Sequence, residues 1–304
     1  MEVSTTGSGH RRENLPLAAT LTTAAFFCVS MVTVLAKVSG AYTSTGMILL
    51  VQNVLCLIAM LPVVMRDGWG SLRTERFGMH VLRAAMGTAC WYAIFLAITL
   101  IPLTNAVLLA YSAPLWMPLV AFAVTRQRIA RPTWIGAGLG FVGVALVLQP
   151  EAHGYNLGDL SALAGALFLA VAMMTVRWLG ATEPTNRILF YYFLLSSLMM
   201  LPIALLDWRP VPPAAWPWIA ALAAAQLASQ ALIAVAYRYA SAEKVGPFIY
   251  SVIVFTALID WIVWDHRPGL LVFLGMALVI GGGLVAVRAK GRGAAAPADA
   301  GIRS

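Results

Sequence analysis

Long apolar runs separated by short polar breaks fill most of this 304-residue chain. A helix that crosses a bilayer needs about 20 mainly apolar residues. Ten runs approach that length, and we expect a spanning helix in each of them: Leu15–Ala36, Thr45–Met65, Met79–Leu100, Leu103–Thr125, Pro132–Leu148, Leu157–Trp178, Ile188–Leu206, Trp216–Tyr239, Val245–Trp264 and Gly269–Val287. The pattern therefore predicts an all-α membrane protein with ten transmembrane helices.

Composition supports a lipid environment. Hydrophobic residues make up 61% of the chain and charged residues only 11%, whereas a soluble domain carries roughly 25% charged residues. A soluble protein this apolar could not cover its surface. The net charge of +8 does not indicate nucleic-acid binding, because the basic residues lie in short loops rather than on one face.

Those basic loops predict the orientation. With the N-terminus inside, nearly every Lys and Arg falls on the inner side, and only Lys37, Arg209 and Arg267 fall outside. Such asymmetry is typical of cytoplasmic termini. We therefore expect a multi-pass protein of the cell (inner) membrane, with N- and C-termini cytoplasmic.

The two ends of the chain are expected to be tails. Residues 1–14 are polar, and the apolar run after them is longer than the core of a typical signal peptide, so we predict a cytoplasmic tail and not a cleaved leader. Residues 288–304 are rich in Ala and Gly and are basic, which favours a disordered cytoplasmic tail.

The chain also matches itself. Shifted by 139 positions, residues 97–147 align without a gap on residues 236–286, pairing Tyr111-Ser112 with Tyr250-Ser251 and Gly143 with Gly282. We interpret this as a duplication of five helices, with repeats at 15–149 and 157–287. Since five is odd, the second repeat is inverted, an arrangement typical of transporters with a site between the repeats.

A group of glycines in the first repeat also matches a nucleotide-binding motif. Gly138, Gly140 and Gly143 match a dinucleotide-binding pattern, but that pattern requires a strand and a turn before the helix. Here the glycines lie inside an apolar run. We expect them to form a surface of small residues for close helix contact, together with Gly275 and Gly281–Gly283 of the second repeat.

Particular segments resemble the drug/metabolite transporter superfamily, in its EamA-type ten-helix members. Residues 83–114, RAAMGTACWYAIFLAITLIPLTNAVLLAYSAP, look like the third and fourth helices of that family. Residues 134–150, WIGAGLGFVGVALVLQP, look like its glycine-rich fifth helix, and Lys37 matches the basic residue that often closes its first. The resemblance covers about residues 15–287, and its tract around residue 90 leans towards the metabolite-uptake type similar to S-adenosylmethionine transporters.

The resemblance implies a site enclosed by helices one to four and six to nine, with helices five and ten packed outside it. The chain departs from the family in one respect. The glutamate that commonly follows the fourth and ninth helices is replaced by Thr125-Arg126-Gln127-Arg128 and by Asp265-His266-Arg267-Pro268.

Charged residues within the runs are the strongest candidates for function. Asp260 is a carboxylate well inside a predicted span, where a charge is costly and usually functional. It could bind substrate, a cation or a proton, or it could simply reach the outer interface. Lys37 could recognise an anionic substrate group, or be an interfacial cation, as could Arg83 and Arg177.

Neutral polar and aromatic side chains inside the runs should face the bundle interior, because lipid does not satisfy their hydrogen bonds. There they either join helices or bind substrate. The polar candidates for the substrate pathway are Asn53, Asn105, Ser112, Gln226, Gln230 and Ser251, and the aromatic ones are Trp91, Tyr111, Trp116, Tyr191 and Tyr250.

Together these features predict a secondary-active transporter of a small polar or amphipathic metabolite, such as an amino acid, a nucleoside-like compound or a vitamin. A proton or a counter-substrate would drive it, and a homodimer is left open. No enzyme activity, cofactor or metal is expected, because the chain has no Walker A motif and its histidines (His10, His80, His153, His266) are scattered in tails and loops. The alternative is a flippase for a lipid-linked molecule or a scaffold subunit of an inner-membrane complex.

Overall fold

The computed structural model describes residues 14–126, 131–148, 156–236, 238–240 and 246–294. Within these ranges the chain is helical and contains no β-strand. The α-helices are α1 (Leu15–Ser39), α2 (Thr45–Asp67), α3 (Phe77–Leu100), α4 (Leu103–Ala110), α5 (Ala113–Thr125), α6 (Arg131–Leu148), α7 (Leu157–Leu179), α8 (Thr185–Leu206), α9 (Trp216–Ala236), α10 (Ser251–Trp264) and α11 (Leu270–Ala294). Short 3-10 helices cover Trp69–Leu72, Pro213–Ala215 and Gly246–Tyr250.

Each of the ten predicted runs contains a helix. Seven stretches of the described chain are long and apolar enough to cross a membrane, and three shorter apolar helices cover Trp134–Leu148, Phe248–Trp264 and Leu270–Val285. Helices α4 and α5 together form one of the seven. An all-helical, multi-pass membrane protein follows.

The predicted fourth helix is interrupted. Proline has no N–H, and its ring clashes with the carbonyl four residues earlier. Pro114 therefore disfavours a helix that runs through Ala110, and α4 ends there. The break at Tyr111-Ser112 is bridged by the Ser112 hydroxyl, which donates to the Leu109 carbonyl at 2.6 Å.

Other predicted boundaries also move. Helix α9 ends at Ala236, and the ninth run begins as a 3-10 helix before α10 starts at Ser251. Helix α11 continues to Ala294, seven residues into the segment predicted to be a disordered tail. Residues 1–13 and 295–304 of the predicted tails lie outside the described residues.

The two halves share backbone features at equivalent positions. Gly40 and Gly180, 140 residues apart, follow the ends of α1 and α7 with the same right-handed conformation. Pro62 and Pro202, again 140 apart, lie inside α2 and α8. Left-handed non-glycine residues are rare, yet Arg126 (φ 53°) and Asp265 (φ 52°) end α5 and α10 at positions 139 apart.

Helix packing joins the halves in matching pairs. Extensive contacts form between α1 and α9, α3 and α7, α2 and α8, and α6 and α11, and smaller ones between α4 and α10. The equivalent helices of the two halves are α1 and α7, α2 and α8, α3 and α9, and α6 and α11, and the fourth span (α4 and α5) is equivalent to the ninth span, which contains α10. Exchanging them converts the α1–α9 pair into the α7–α3 pair and leaves the other pairs unchanged. The bundle thus has the contact pattern of a two-fold arrangement.

The α6–α11 pair confirms the predicted glycine contact. A methyl group at Gly143 would lie 2.7 Å from the Gly275 carbonyl oxygen, and one at Gly275 would lie 2.8 Å from that of Gly143. A methyl at Gly282 would meet the backbone of α6, whereas Gly138 and Gly281 face open space. Only part of each glycine run therefore forms the contact.

Candidate functional site

Asp260 is completely buried near the end of α10. Its Oδ2 atom accepts hydrogen bonds from the backbone N–H and the hydroxyl of Thr104, both at 2.8 Å. Thr104 lies in the first turn of α4, where the N–H groups have no partner within the helix. Because Pro102 offers no capping side chain, the carboxylate of α10 caps α4.

Two nitrogen atoms lie near the other oxygen of this carboxylate. The Lys37 Nζ atom, at the end of α1, lies 3.7 Å from Asp260 Oδ1 and 4.5 Å from the centre of the Trp264 ring. The His266 Nδ1 atom lies 3.0 Å from the same oxygen. We call Lys37, Thr104, Asp260, Trp264 and His266 the Asp260 cluster. It connects α1, α4 and α10 at one end of the bundle.

This geometry bears on both interpretations made from the sequence. The Asp260 side chain has no exposed area. Lys37 is only 17% exposed, and its charge compensates Asp260. For Lys37 to bind an anionic substrate, the pair would first have to separate, so the two residues act as one unit in this conformation.

A second polar cluster lies at the opposite end of the bundle, in the turn between α7 and α8. The Glu183 carboxylate accepts hydrogen bonds from Thr74 Oγ1 at 2.7 Å and from Arg187 Nη1 at 2.6 Å, and His80 Nε2 lies 3.8 Å away. The Tyr191 hydroxyl donates to the Leu72 carbonyl, and its ring lies against His80. We call Thr74, His80, Glu183, Arg187 and Tyr191 the Glu183 cluster.

The Glu183 cluster contains His80 and Tyr191, for which the sequence predicts other environments. The sequence predicts His80 in a loop, but it lies in the first turn of α3 and is 1% exposed. Tyr191, a predicted wall of the substrate pathway, donates a hydrogen bond to the segment between α2 and α3. One feature of the sequence indicated this cluster. Glu183 and Arg187 are four residues apart, a spacing at which side chains meet on a helix.

Acid should loosen this end of the bundle. Burial raises the pKa of the Glu183 carboxyl, but hydrogen bonds from Thr74 and Arg187 and the charges of Arg187 and His80 outweigh burial, so the pKa is lowered below its ordinary value of 4.5. Such a carboxyl contributes stability above its unfolded pKa and loses that contribution as pH falls through the lowered value. We expect the gap in unfolding temperature between wild type and Glu183→Gln to shrink from pH 7 to below about pH 4.5.

Asp207→Asn is the matched control for this measurement, because the Asp207–Arg209 pair is largely exposed. It should leave the unfolding temperature nearly unchanged at both pH values. An equal gap for Glu183→Gln at the two pH values would contradict the role given to Glu183.

Buried polar groups lie between the two clusters. Asn53 on α2 and Gln226 on α9 are buried, and the side-chain oxygens of Gln52, Gln226 and Thr256 have no hydrogen-bond partner within the described part of the chain. Buried polar atoms normally have a partner. These are the positions where a substrate or water would supply one.

The remaining candidates occupy several environments. Gln230 on α9 and Asn105 on α4 are half-buried, as is Trp91, which packs edge-on against Phe95. Trp116 packs against Phe141 of α6, and the Tyr250 hydroxyl contacts Gly283 of α11. These last two side chains therefore face the α6–α11 pair.

The paired dipeptides mark the helix breaks. Tyr111 and Tyr250 are both buried. The Ser251 hydroxyl donates to the carbonyl three residues earlier at 2.7 Å, as Ser112 does at the equivalent position. Both serine hydroxyls are thus used by the local backbone, so a structural role accounts for them.

The sequence favours Arg83 less than Lys37 and Asp260 as a functional residue, but its environment in the structure makes it a candidate. Its guanidinium carbon lies 4.3 Å from the centre of the Tyr192 ring, and no carboxylate pairs with it within the described ranges. An arginine at the centre of a membrane helix costs about 2.5–3.5 kcal/mol, whereas a cation–π contact contributes roughly 0.5–2 kcal/mol. Arg83 lies short of the centre of α3, which reduces this cost, and the Tyr192 contact offsets part of what remains.

Two cavities lie outside these clusters. One of about 810 Å³ opens beside the Glu183 cluster and is lined by Arg76, Met79, Arg177 and Trp178. The other, of about 460 Å³, is largely apolar and lies between α3, α7 and α8, with Thr88, Tyr92 and Ser161 in its wall. Neither cavity is lined by the predicted pathway residues. The described contacts do not connect the two cavities.

Comparison with known proteins identifies the family. The profile of the EamA-like transporter family matches residues 16–149 and again residues 156–288. The chain is 28% identical over 262 residues to the riboflavin transporter of Vibrio cholerae, covering 84% of this chain and 87% of that protein. It is 26% identical to the pseudopaline exporter CntI of Pseudomonas aeruginosa, covering 84% and 90%.

A third relative, the S-adenosylmethionine uptake transporter of Rickettsia conorii, is 23% identical over 226 residues, covering 73% of this chain and 76% of that protein. These names include both uptake and export, so they agree on the kind of activity and differ in direction and cargo. The chain belongs to the EamA-like transporter family, and its activity is the transport of a small metabolite.

Proposed function

We propose that this chain is a secondary-active carrier that moves a small polar or amphipathic metabolite by alternating access, driven by a proton or a counter-substrate. Its termini face the cytoplasm in the inner membrane, and its two five-helix halves are inverted relative to each other. The Asp260 cluster then closes the outer side of the bundle, and the Glu183 cluster closes the inner side.

The observation that carries this proposal is the position of the two clusters. Each connects the first half of the chain to the second: Lys37 and Thr104 meet Asp260 at one end, and Thr74 and His80 meet Glu183 at the other. A carrier that opens to each side in turn must break contacts between its moving halves at one end while keeping them at the other. Two polar clusters at opposite ends meet that requirement.

The middle of the bundle supports a binding site between these gates. Gln52, Gln226 and Thr256 have side-chain oxygens without a hydrogen-bond partner among the described residues, and transporters of this architecture bind substrate near the midplane. Riboflavin and S-adenosylmethionine, which name two of the relatives, both carry a heteroaromatic ring. Trp91 and Tyr192, which lie in one packed cluster, would suit a flat ring of that kind.

Flux through the purified protein in liposomes tests the proposal. Radiolabelled riboflavin, S-adenosylmethionine, nucleosides and amino acids would be offered from each side, with and without an inward proton gradient. We expect one solute class to accumulate faster than in protein-free liposomes. If no solute moves while fluorescent lipid headgroups change leaflet, the proposal is wrong and the flippase alternative holds.

Asp260→Asn should uncouple transport from protons. Thr104 donates two hydrogen bonds to Oδ2 of Asp260, and the Lys37 and His266 nitrogens face Oδ1. Adding a proton to Asp260 removes the charge that holds Lys37, which opens the cluster. We therefore expect an inward proton gradient to accelerate uptake by wild type several-fold and to leave uptake by Asp260→Asn unchanged.

Asp265→Asn provides the matched control, because Asp265 lies five residues further along and its side chain is 82% exposed. It should keep the response of wild type. Equal proton dependence in wild type and Asp260→Asn would remove Asp260 from coupling.

A further inference from the structure

We propose that Arg83 and Tyr192 form the subsite that recognises a carboxylate group of the transported metabolite. The inference rests on the proposed transport function and deepens it, because it names a chemical group that the cargo carries. Three features of the structure carry it: the direction of the Arg83 side chain, the absence of a carboxylate beside it among the described residues, and the wall next to it.

The Arg83 side chain points into the bundle. Helical side chains lean towards the N-terminus of their helix, so an interfacial arginine six residues into α3 would be expected to turn back towards the nearby helix start. Instead its Nη1 atom occupies the place beside Gly87, one turn further into the helix. The guanidinium is held away from the nearest membrane surface.

Gly87 makes this placement possible. A methyl group there would collide with Arg83 Nη1 and would lie 2.7 Å from the Cε2 atom of Tyr192. The guanidinium lies over the Tyr192 ring at 4.3 Å. A single missing side chain therefore creates the slot in which the cation and the ring meet.

The charge of Arg83 is available to a ligand. Lys37 and Arg187 each have a carboxylate within salt-bridge distance, but within the described ranges Arg83 has none, and its buried Nε–H has no hydrogen-bond acceptor. The side chain is half-buried, not sealed. An arginine whose Nε–H has no acceptor among the described residues can donate to an anion there.

The surroundings select the class of anion. The guanidinium presents parallel N–H donors that match the two oxygens of a carboxylate. Cys56, Phe193 and Ala223 form the apolar cluster around Tyr192, and Trp91 packs against it. A low-dielectric wall strengthens the ionic contact, and the half-buried ring of Trp91 suits a planar apolar body. The site therefore fits an organic acid with a ring.

Matched acid and amide pairs test the proposal without requiring transport. Purified protein in detergent would be heated with benzoate or benzamide, nicotinate or nicotinamide, and indole-3-acetate or indole-3-acetamide. Each pair keeps its shape and changes only its charge. We expect at least one acid at millimolar concentration to raise the unfolding temperature by roughly 2–4 °C more than its amide.

Three variants locate the effect. Arg83→Gln should abolish the difference between acid and amide, and Gly87→Ala should reduce it without changing any charge, because the methyl group displaces the guanidinium. Arg66→Gln, which removes an exposed arginine at the end of α2, should retain the full difference. If Arg83→Gln does not fold, the comparison of Gly87→Ala with wild type still tests the proposal.

The proposal is overturned if no acid stabilises wild type more than its amide, or if the difference survives in Arg83→Gln. A protein that discriminates acids from amides but moves no solute in liposomes would contradict the transport mechanism and leave the subsite standing. The two failures are therefore distinguishable.

Discussion

Replacing Lys37 with methionine is expected to lower the stability of the protein by about 3 kcal/mol, because it leaves the buried Asp260 carboxylate without its lysine. Asp260 is fully buried, and Lys37 is mostly so, which means that solvent screens the pair little. His266 still contacts Asp260, so the loss falls at the lower end of the range for broken buried pairs.

The double variant Lys37→Met/Asp260→Asn should recover most of this loss. Removing both charges eliminates the cost of a buried unpaired carboxylate, and an asparagine oxygen still accepts from Thr104. Thermal unfolding of the four proteins of this cycle in detergent measures the coupling between the two residues.

Arg209→Met is the control for the pair, because the Arg209 and Asp207 side chains are 67% and 62% exposed, and exposed pairs contribute about 0–1 kcal/mol. Equal losses for Lys37→Met and Arg209→Met would show that the Asp260 pair contributes little to the closed bundle. A double variant less stable than either single one would have the same meaning.

Gly282→Ala is expected to destabilise the protein by about 1–3 kcal/mol through overpacking. The added methyl would meet the Gly136 carbonyl oxygen and would lie 2.6 Å from the Gly140 nitrogen. These are backbone atoms of α6, which cannot move aside as a flexible side chain would. The helices would have to separate along their whole contact.

The adjacent glycine provides the control. An added methyl group at Gly281 would have no atom of the described chain within 4 Å, and alanine is the better helix former by about 0.8–1 kcal/mol. Gly281→Ala should therefore unfold at the wild-type temperature or slightly above it. If both variants unfold at the same temperature, close packing of α6 on α11 does not limit stability.

The helices and the internal repeat were predictable because both depend on local pattern. Apolar runs of span length determine where helices form in lipid, and Pro114 could have indicated that the fourth run breaks after Ala110. The match of Tyr111-Ser112 with Tyr250-Ser251 predicted equivalent positions, and the structure places a helix break at the first and a 3-10 to α transition at the second. The serine hydroxyls donate to nearby backbone carbonyls, and a role of these residues as substrate contacts stays a prediction.

The clusters were less predictable, because their contacts join residues far apart in sequence. Asp260 and Lys37 were each identified, but nothing in either segment shows that they pair. Thr104 and His266 became visible only through Asp260. Arg83 was hard to weigh from sequence because the direction of its side chain depends on the space left by Gly87 and on the Tyr192 ring of another helix.

The cap that Asp260 provides for α4 has a consequence for biogenesis. The Thr104 N–H finds its acceptor 156 residues later in the chain. At about 5–20 residues per second, the ribosome needs roughly 8–30 s to make that stretch. During this interval the nascent fourth span carries an uncapped end at the edge of the bilayer. The first five spans are an unfinished intermediate until the ninth span, which contains α10, is inserted. Maturation of the membrane-inserted chain is therefore completed from its C-terminal half.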